Sequence, residues 1–401
     1  MHRIPITFLL LFVSGTIIAQ KIPTIELAEA FSDRDKINLS TFAESIDYIQ
    51  LETSEETLLS YPNVRGIQGD SIILVKSRTR ICIFDRATGK YLYDVGHMGE
   101  DPTSFTSTNN LGFNNLNGNV FATRKWNLIE FSLKTGQVVN QVPEPELGEY
   151  GPIKTFEIGE KGSMTSQINF RKWMDEGYLV GYISNHAGDE TMKLIIYDTR
   201  GDVKKLFKNH RTFQRVQSQM IKSTLPSFYS YGGKSFFKEH FSDTLYSFNL
   251  ERMTPEFYFN TGKYSPPYER QDELTNEQKS SLMFINVIEE DNTNLYFQLA
   301  YKNKWRVGLF NKKTNSTLIS EPELDEMDGF YNDIDNFVPF IPKFRTQEGY
   351  LVGTISAEDV YNWFQANRSK ANKLPEHLKK LRNIDPEDNP IVMIVKPKEA
   401  N

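Results

Sequence analysis

Short apolar runs divided by polar turns fill most of the chain. In one stretch the run Arg80-Ile81-Cys82-Ile83-Phe84-Asp85 leads into the turn Arg86-Ala87-Thr88-Gly89-Lys90 and a second run, Tyr91-Leu92-Tyr93-Asp94-Val95. The same unit recurs at 128–139, from 194 through the turn 199–201, at 244–257 and at 307–315. Runs of this length, rich in β-branched and aromatic residues and closed by Gly or Asn, predict hairpins. A further strand is expected upstream of each, at 71–76, 119–123, 177–184, 234–238 and 294–300. A last pair lies at 349–355 and 390–396, which makes six units. Four antiparallel strands repeated six times predict an all-β, six-bladed β-propeller; a two-sheet sandwich needs fewer equivalent hairpins. Helical spacing is confined to 269–283 and to 357–381, the latter interrupted by Pro375, and both read as insertions. Residues 20–45 read as a lead-in and 46–401 as the propeller.

A ring of blades needs a fastener. Pairing the segment 46–51 beside the C-terminal strand 391–396 closes the last blade from both chain ends and leaves no open edge in the ring.

Composition narrows the class. The chain has 401 residues, 39% hydrophobic and 24% charged, with 46 Lys and Arg against 52 Asp and Glu, a net charge of -6. It is too apolar for a disordered tail and too polar for a multi-span membrane protein. The acidic balance argues against a nucleic-acid partner. The single Cys82 excludes an intramolecular disulfide and a cysteine zinc site, and its apolar run makes it a small buried hydrophobe. At the N-terminus, His2 and Arg3 precede the apolar run 4–13, and Ala19 offers a cleavage point before Gln20. Residues 1–19 therefore read as a signal peptide, without a lipid anchor because no cysteine lies near the cut. The expected address is the periplasm or the exterior, with no membrane insertion after cleavage.

Four stretches carry a resemblance: Ile46-Asp47-Tyr48-Ile49-Gln50-Leu51-Glu52-Thr53, the hairpin 83–96, Phe241-Ser242-Asp243-Thr244-Leu245-Tyr246, and Glu387-Asp388-Asn389-Pro390-Ile391-Val392-Met393-Ile394. Together they resemble the secreted six-bladed β-propellers of Bacteroidetes, described as TolB-like or NHL-like, over nearly the whole mature chain. The resemblance implies the fold and export, and no reaction. The loop after the first hairpin departs from the Gly-rich pattern, reading Gly96-His97-Met98-Gly99-Glu100-Asp101-Pro102-Thr103-Ser104-Phe105.

Catalytic signatures are missing. There is no HExxH and no GxSxG, and Gly233-Lys234-Ser235 reads as a hairpin turn rather than a phosphate loop. The acids from Glu321 to Asp328, with Asp333 and Asp335, do not match calcium-loop spacing and read as solvated surface. His97, His186, His210, His240 and His377 share no metal spacing, so neither a metal nor a cofactor is expected. One constellation stands out. The loops between second and third strands share one face of a propeller. They would carry Arg78 and Arg80, then Arg124, Lys125 and Trp126, then His186 and His240. Lys302, Lys304 and Trp305 follow, and Trp363 with Arg368 sits in the last insertion. Hairpin tips also collect Lys and Arg for solubility alone. As a binding rim, Arg78, Arg80, Arg124, Trp126, Trp305 and Trp363 would gather at one mouth of the central channel, aromatics stacking and arginines gripping an acidic group.

The function expected is therefore a monomeric, secreted propeller that binds a glycan, a peptide or an envelope protein on its loop-rich face, with an acidic glycan or peptide favoured. The alternatives are a hydrolase or lyase using acids at the channel, and a cell-envelope scaffold.

Overall fold

Each apolar run and its turn fold as an antiparallel hairpin, and the hairpins assemble into six four-stranded blades. The computed structural model describes residues 22–114, 116–157, 162–216, 226–322 and 327–398. The expected signal peptide lies outside them. Counted outward from the channel, blade 1 comprises Asn63–Gln68, Ile72–Lys76, Ile81–Asp85 and Tyr91–Asp94. Blade 2 comprises Ser107–Phe113, Val120–Arg124, Asn127–Phe131 and Val138–Val142. Blade 3 comprises Ile168–Trp173, Leu179–Ile183, Met192–Tyr197 and Val203–Lys208. Blade 4 comprises Ser227–Tyr231, Lys234–Lys238, Thr244–Phe248 and Met253–Asn260, and blade 5 Phe284–Glu290, Asn294–Tyr301, Lys304–Asn311 and Ser316–Ile319. Blade 6 comprises Pro342–Arg345, Leu351–Ile355, Ile391–Pro397 and, outermost, Ala43–Gln50.

That outermost strand is the fastener. Ile46 pairs with Val395, Tyr48 with Met393 and Ile49 with Val392, antiparallel throughout. The seam to blade 1 is then locked by polar groups. The buried Asn389 donates to the carbonyls of Glu52 (2.7 Å) and Thr57 (2.8 Å) and accepts from the Leu59 N–H (3.0 Å). Gly89, at φ +71°, lets the blade 1 hairpin press on this linker: a Cβ there would lie 2.0 Å from the Gln50 carbonyl oxygen.

Second and third strands bury both faces between neighbouring blades, which explains their near-continuous apolar runs. Leu51, Val64, Ile73, Cys82, Phe84, Val352 and Val392 form one such layer between blades 6 and 1. Cys82 is fully buried there as expected, and burial pushes its thiol well above the ordinary range.

The lead-in is less detached than its sequence implies. Thr24–Glu26 adds a parallel fifth strand to the outside of blade 4, and Asp35 and Asn38 bridge to Ser320 and Tyr331. Of the stretch 269–283, Asn276–Ser280 is α-helical, started by a capping box from Thr275, and Tyr268–Arg270 is a 3-10 turn. The longer insertion, between the second and third strands of blade 6, holds the helices Ala357–Ala366, Arg368–Ala371 and Glu376–Lys379.

The two faces of the ring differ. On one face lie the second-to-third loops and the connections between blades, which hold the helices and the hairpin Thr155–Glu157 with Ser163–Thr165. The other face is built largely from short turns joining first to second and third to fourth strands.

Candidate functional site

Four of the six innermost strands carry a one-residue β-bulge, and that of blade 2 a longer irregularity. The register slips between Val64 and Gly66, between Ser107 and Gly112, between Ile168 and Phe170, between Val287 and Glu289, and between Pro342 and Phe344. A bulge leaves a residue outside the ladder and re-aims its side chain. In blades 1 and 6 the extra residue is a cation, Arg65 and Lys343 respectively.

The innermost strands enclose a cavity of about 930 Å³. Its wall reaches the short-turn face, taking in Asn114, Gly118, Asp175, Gly232 and Gln347. Side chains stitch the wall together from blade to blade. The Arg171 N–H donates to Asn110 Oδ1 (3.2 Å), and the Val287 N–H donates to Ser227 Oγ (3.0 Å). Lys172 Nζ reaches the Phe228 carbonyl at 3.4 Å, and Arg65 reaches the Leu111 carbonyl at 3.4 Å.

The lining has a distinct chemistry. Arg65, Lys172, Lys343 and Arg345 bring four cations, against the acids Glu289 and Asp175. Arg171 also borders the cavity, but its guanidinium turns away to Glu144 at 2.8 Å. In a chain of net charge -6 the channel is therefore a basic island. Burial holds the Lys343 ammonium and the Arg65 guanidinium below their ordinary range. Burial also lowers Lys172, with Glu289 and Asp175 working against it. Glu289 is 7% exposed, and burial drives its carboxyl upward although Lys172 and Arg345 oppose this. Its Oε1 has no hydrogen-bonding partner within the protein. Aromatic rings pave the remaining wall: Phe113, Tyr231 and Phe344, with Phe170 and Phe228 stacked parallel at 5.0 Å.

The six residues of the expected rim do not line this cavity. The second-to-third loops do share one face. However, Arg124 ends the second strand of blade 2, Trp305 lies in the third strand of blade 5 and Trp363 in the first helix of the blade 6 insertion, leaving Arg78, Arg80 and Trp126 in the short loops themselves. The side chains have other roles. Arg80 grips Asp94 through Nε (2.7 Å) and Nη2 (3.0 Å) within blade 1. Arg124 donates to the Asp101 carbonyl at 3.0 Å. Trp363 is a correction: it is 8% exposed, edge-on to Phe337 at 4.7 Å, and so belongs to the core beneath the helical insertion. Its helix is amphipathic, and Trp363 falls on the buried stripe with Val360 and Phe364. Arg78, Trp126 and Trp305 are exposed, as are Lys302 and Lys304. His240 is stacked on Phe284 at 4.5 Å, and His186 lies edge-on to Phe156.

Other candidates resolve into structure. Glu321 is held by Arg306 and Arg34, Asp333 by Ser40, and Asp335 by Asn332 and Tyr48. Residues 323–326 of the acidic stretch lie outside the described residues. Among the described residues no group of three or more His, Cys, Asp or Glu side chains could hold a metal ion. The loop 96–105 closes on itself through His97 Nε2 and Asp101 Oδ2, 2.6 Å apart.

The channel residues escaped the sequence reading because the innermost strands are its least apolar. All but that of blade 4 contain glycine, asparagine or charges, as in Asn63-Val64-Arg65-Gly66-Ile67-Gln68 and Pro342-Lys343-Phe344-Arg345. The available signal was charged or amide residues within short strand-like stretches just upstream of each second strand.

Ring, closure and channel together define a six-bladed β-propeller with a polar, cation-rich central cavity. The chain belongs to the family described as "Domain of unknown function (DUF4934)", whose model matches residues 22–396. No curated protein matches the sequence. Among solved structures, a Bacteroides fragilis protein named for its presumed export is similar at 15% identity and TM-score 0.67, covering 94% of this chain and 100% of its own. A DUF4221 family member from Bacteroides vulgatus is similar at 13% identity and TM-score 0.53, covering 91% of this chain and 99% of its own. At these identities the likeness is one of fold.

Proposed function

We propose that the protein is an exported binding protein whose central channel, rather than its loop-rich rim, takes an anionic ligand. The observation that supports this best is the convergence of Arg65, Lys172, Lys343 and Arg345, from three different blades, on one aromatic-walled cavity. Cations in a partly desolvated cleft attract anions more strongly than the same charges spread over a surface. A cavity of this size, apolar in part with a few placed polar groups, is typical of ligand sites. Export is inferred from the N-terminal segment 1–19 and from the name of the B. fragilis neighbour. A kinship with TolB-like or NHL-like propellers belongs to the same proposal and is supported by the six blades and the strand closure.

The hydrolytic alternative asks for a pair of carboxylates flanking a bond. Among the described residues lining the channel cavity, Glu289 is the one buried carboxyl, and Asp175 is exposed. Binding is therefore the reading favoured. Each charge-assisted hydrogen bond contributes about 1.5–3 kcal/mol. Replacing both Lys343 and Arg345 by alanine should thus weaken binding of trigalacturonate or triglutamate by about a hundredfold. Isothermal titration at low and high salt measures this. Wild-type affinity should fall with ionic strength. An affinity for these anions that ignores both salt and the double substitution would refute the proposal.

A further inference from the structure

The wall of the channel is not a plain anion trap, because its cations are accompanied by a buried carboxyl. Glu289 sits on the innermost strand of blade 5, within the field of Lys172 and Arg345, with Oε1 unpartnered inside the protein. For a ligand that offers only negative charge, this group is a liability. It repels the ligand, or must take up a proton to tolerate it. For a ligand that also offers hydroxyl groups the same carboxyl is an acceptor, and a desolvated acceptor left unpaired is costly. The neutral polar lining extends this choice: Gln68, Asn286, Ser230 and Gln298 can each accept as well as donate. Gln68 Oε1 is a second buried acceptor without a partner. Opposite chemistry comes from the partly exposed rings of Phe113, Phe170, Phe228, Tyr231 and Phe344, which suit a flat C–H face rather than a flexible polar chain.

We infer that the ligand is an acidic saccharide, its carboxylates held by Arg65, Lys172, Lys343 and Arg345, its hydroxyls donating to Glu289, and its ring faces lying on the aromatic wall. This rests on the channel being the anion site proposed above. An acidic peptide satisfies the cations equally and can offer the Glu289 carboxyl an N–H, but it brings neither a cluster of hydroxyls for the neutral polar lining nor a rigid face for the rings.

The two ligand classes differ in the hydroxyls they bring to Glu289 and in the rigid rings they bring to the wall, which supplies the test. Trigalacturonate and triglutamate, of equal side-chain charge, are titrated calorimetrically into the full mature protein, into Glu289→Leu and into Glu289→Gln. Melting curves confirm that each variant is folded. Expected is tighter binding of trigalacturonate to wild type, weakened about tenfold or more in Glu289→Leu and less in Glu289→Gln, whose amide oxygen still accepts. Triglutamate, if it binds, should bind wild type more weakly than trigalacturonate does and lose less affinity in Glu289→Leu, because it brings no hydroxyl to that carboxyl. Preference for triglutamate, or trigalacturonate affinity unchanged or improved in Glu289→Leu, overturns the inference. If triglutamate binds and loses affinity in Lys343→Ala/Arg345→Ala, the anion site stands even though the saccharide assignment fails. Should neither anion bind, both readings fall.

Discussion

Asn389 concentrates the closure of the ring in one side chain. It is 1% exposed and satisfies two carbonyls and one N–H of the linker between blades 6 and 1. Truncation leaves those groups buried without partners, at about 1–3 kcal/mol each when no water replaces the amide. Asn389→Ala should therefore lose about 3 kcal/mol in reversible denaturant unfolding, and a loss under half of that would mean the linker repairs itself. Glu321 acts at longer range, joining Arg34 of the lead-in to Arg306 of blade 5. Arg306 above all, then Arg34, lower its carboxyl from the ordinary 4.5 to about 2. A depressed carboxyl stabilises the fold above its unfolded pKa, and that contribution drains away as pH falls from about 4.5 to about 2. The half-exposed setting keeps the effect small. Glu321→Gln should flatten the decline of melting temperature in that window and leave its shape near pH 7 unaltered; an identical acid profile would show that the pair is energetically idle.

At the scale of elements, the two N-terminal strands have unequal duties. Thr24–Glu26 extends a blade that already has four strands, whereas Ala43–Gln50 completes one that otherwise has three. Removing residues through Glu26 should leave a single cooperative melt, while removing residues through Glu52 should abolish it or produce an aggregating species, since the third strand of blade 6 would become an open edge. Equal melting temperatures for the two truncations would contradict the closure. This strand was legible because the apolar positions of Ile46-Asp47-Tyr48-Ile49-Gln50-Leu51 face a buried partner. Second and third strands were legible for the same reason, as in Ile81-Cys82-Ile83-Phe84, which is wholly buried. The innermost strands were not. One of their faces borders the cavity, so residues such as Arg65, Asn286 and Lys343 interrupt the apolar pattern, and bulges break its alternation.

At the scale of the molecule, blade number, connectivity and closure followed from periodicity, while the location of the site did not. Loop order alone puts Arg78, Arg124, Trp126 and Trp305 on one face, but cannot tell a solvated hairpin tip from a contact surface, nor detect that Trp363 folds inward. The channel becomes visible only when residues about 280 positions apart, Arg65 and Arg345, are seen to line one cavity. The choice between channel and rim is settled most directly by titrating trigalacturonate into two double variants, Lys343→Ala/Arg345→Ala and Trp126→Ala/Trp305→Ala, alongside wild type. The expected result is affinity lost in the channel pair and retained in the rim pair; affinity lost in the rim pair and retained in the channel pair would contradict the placement of the site.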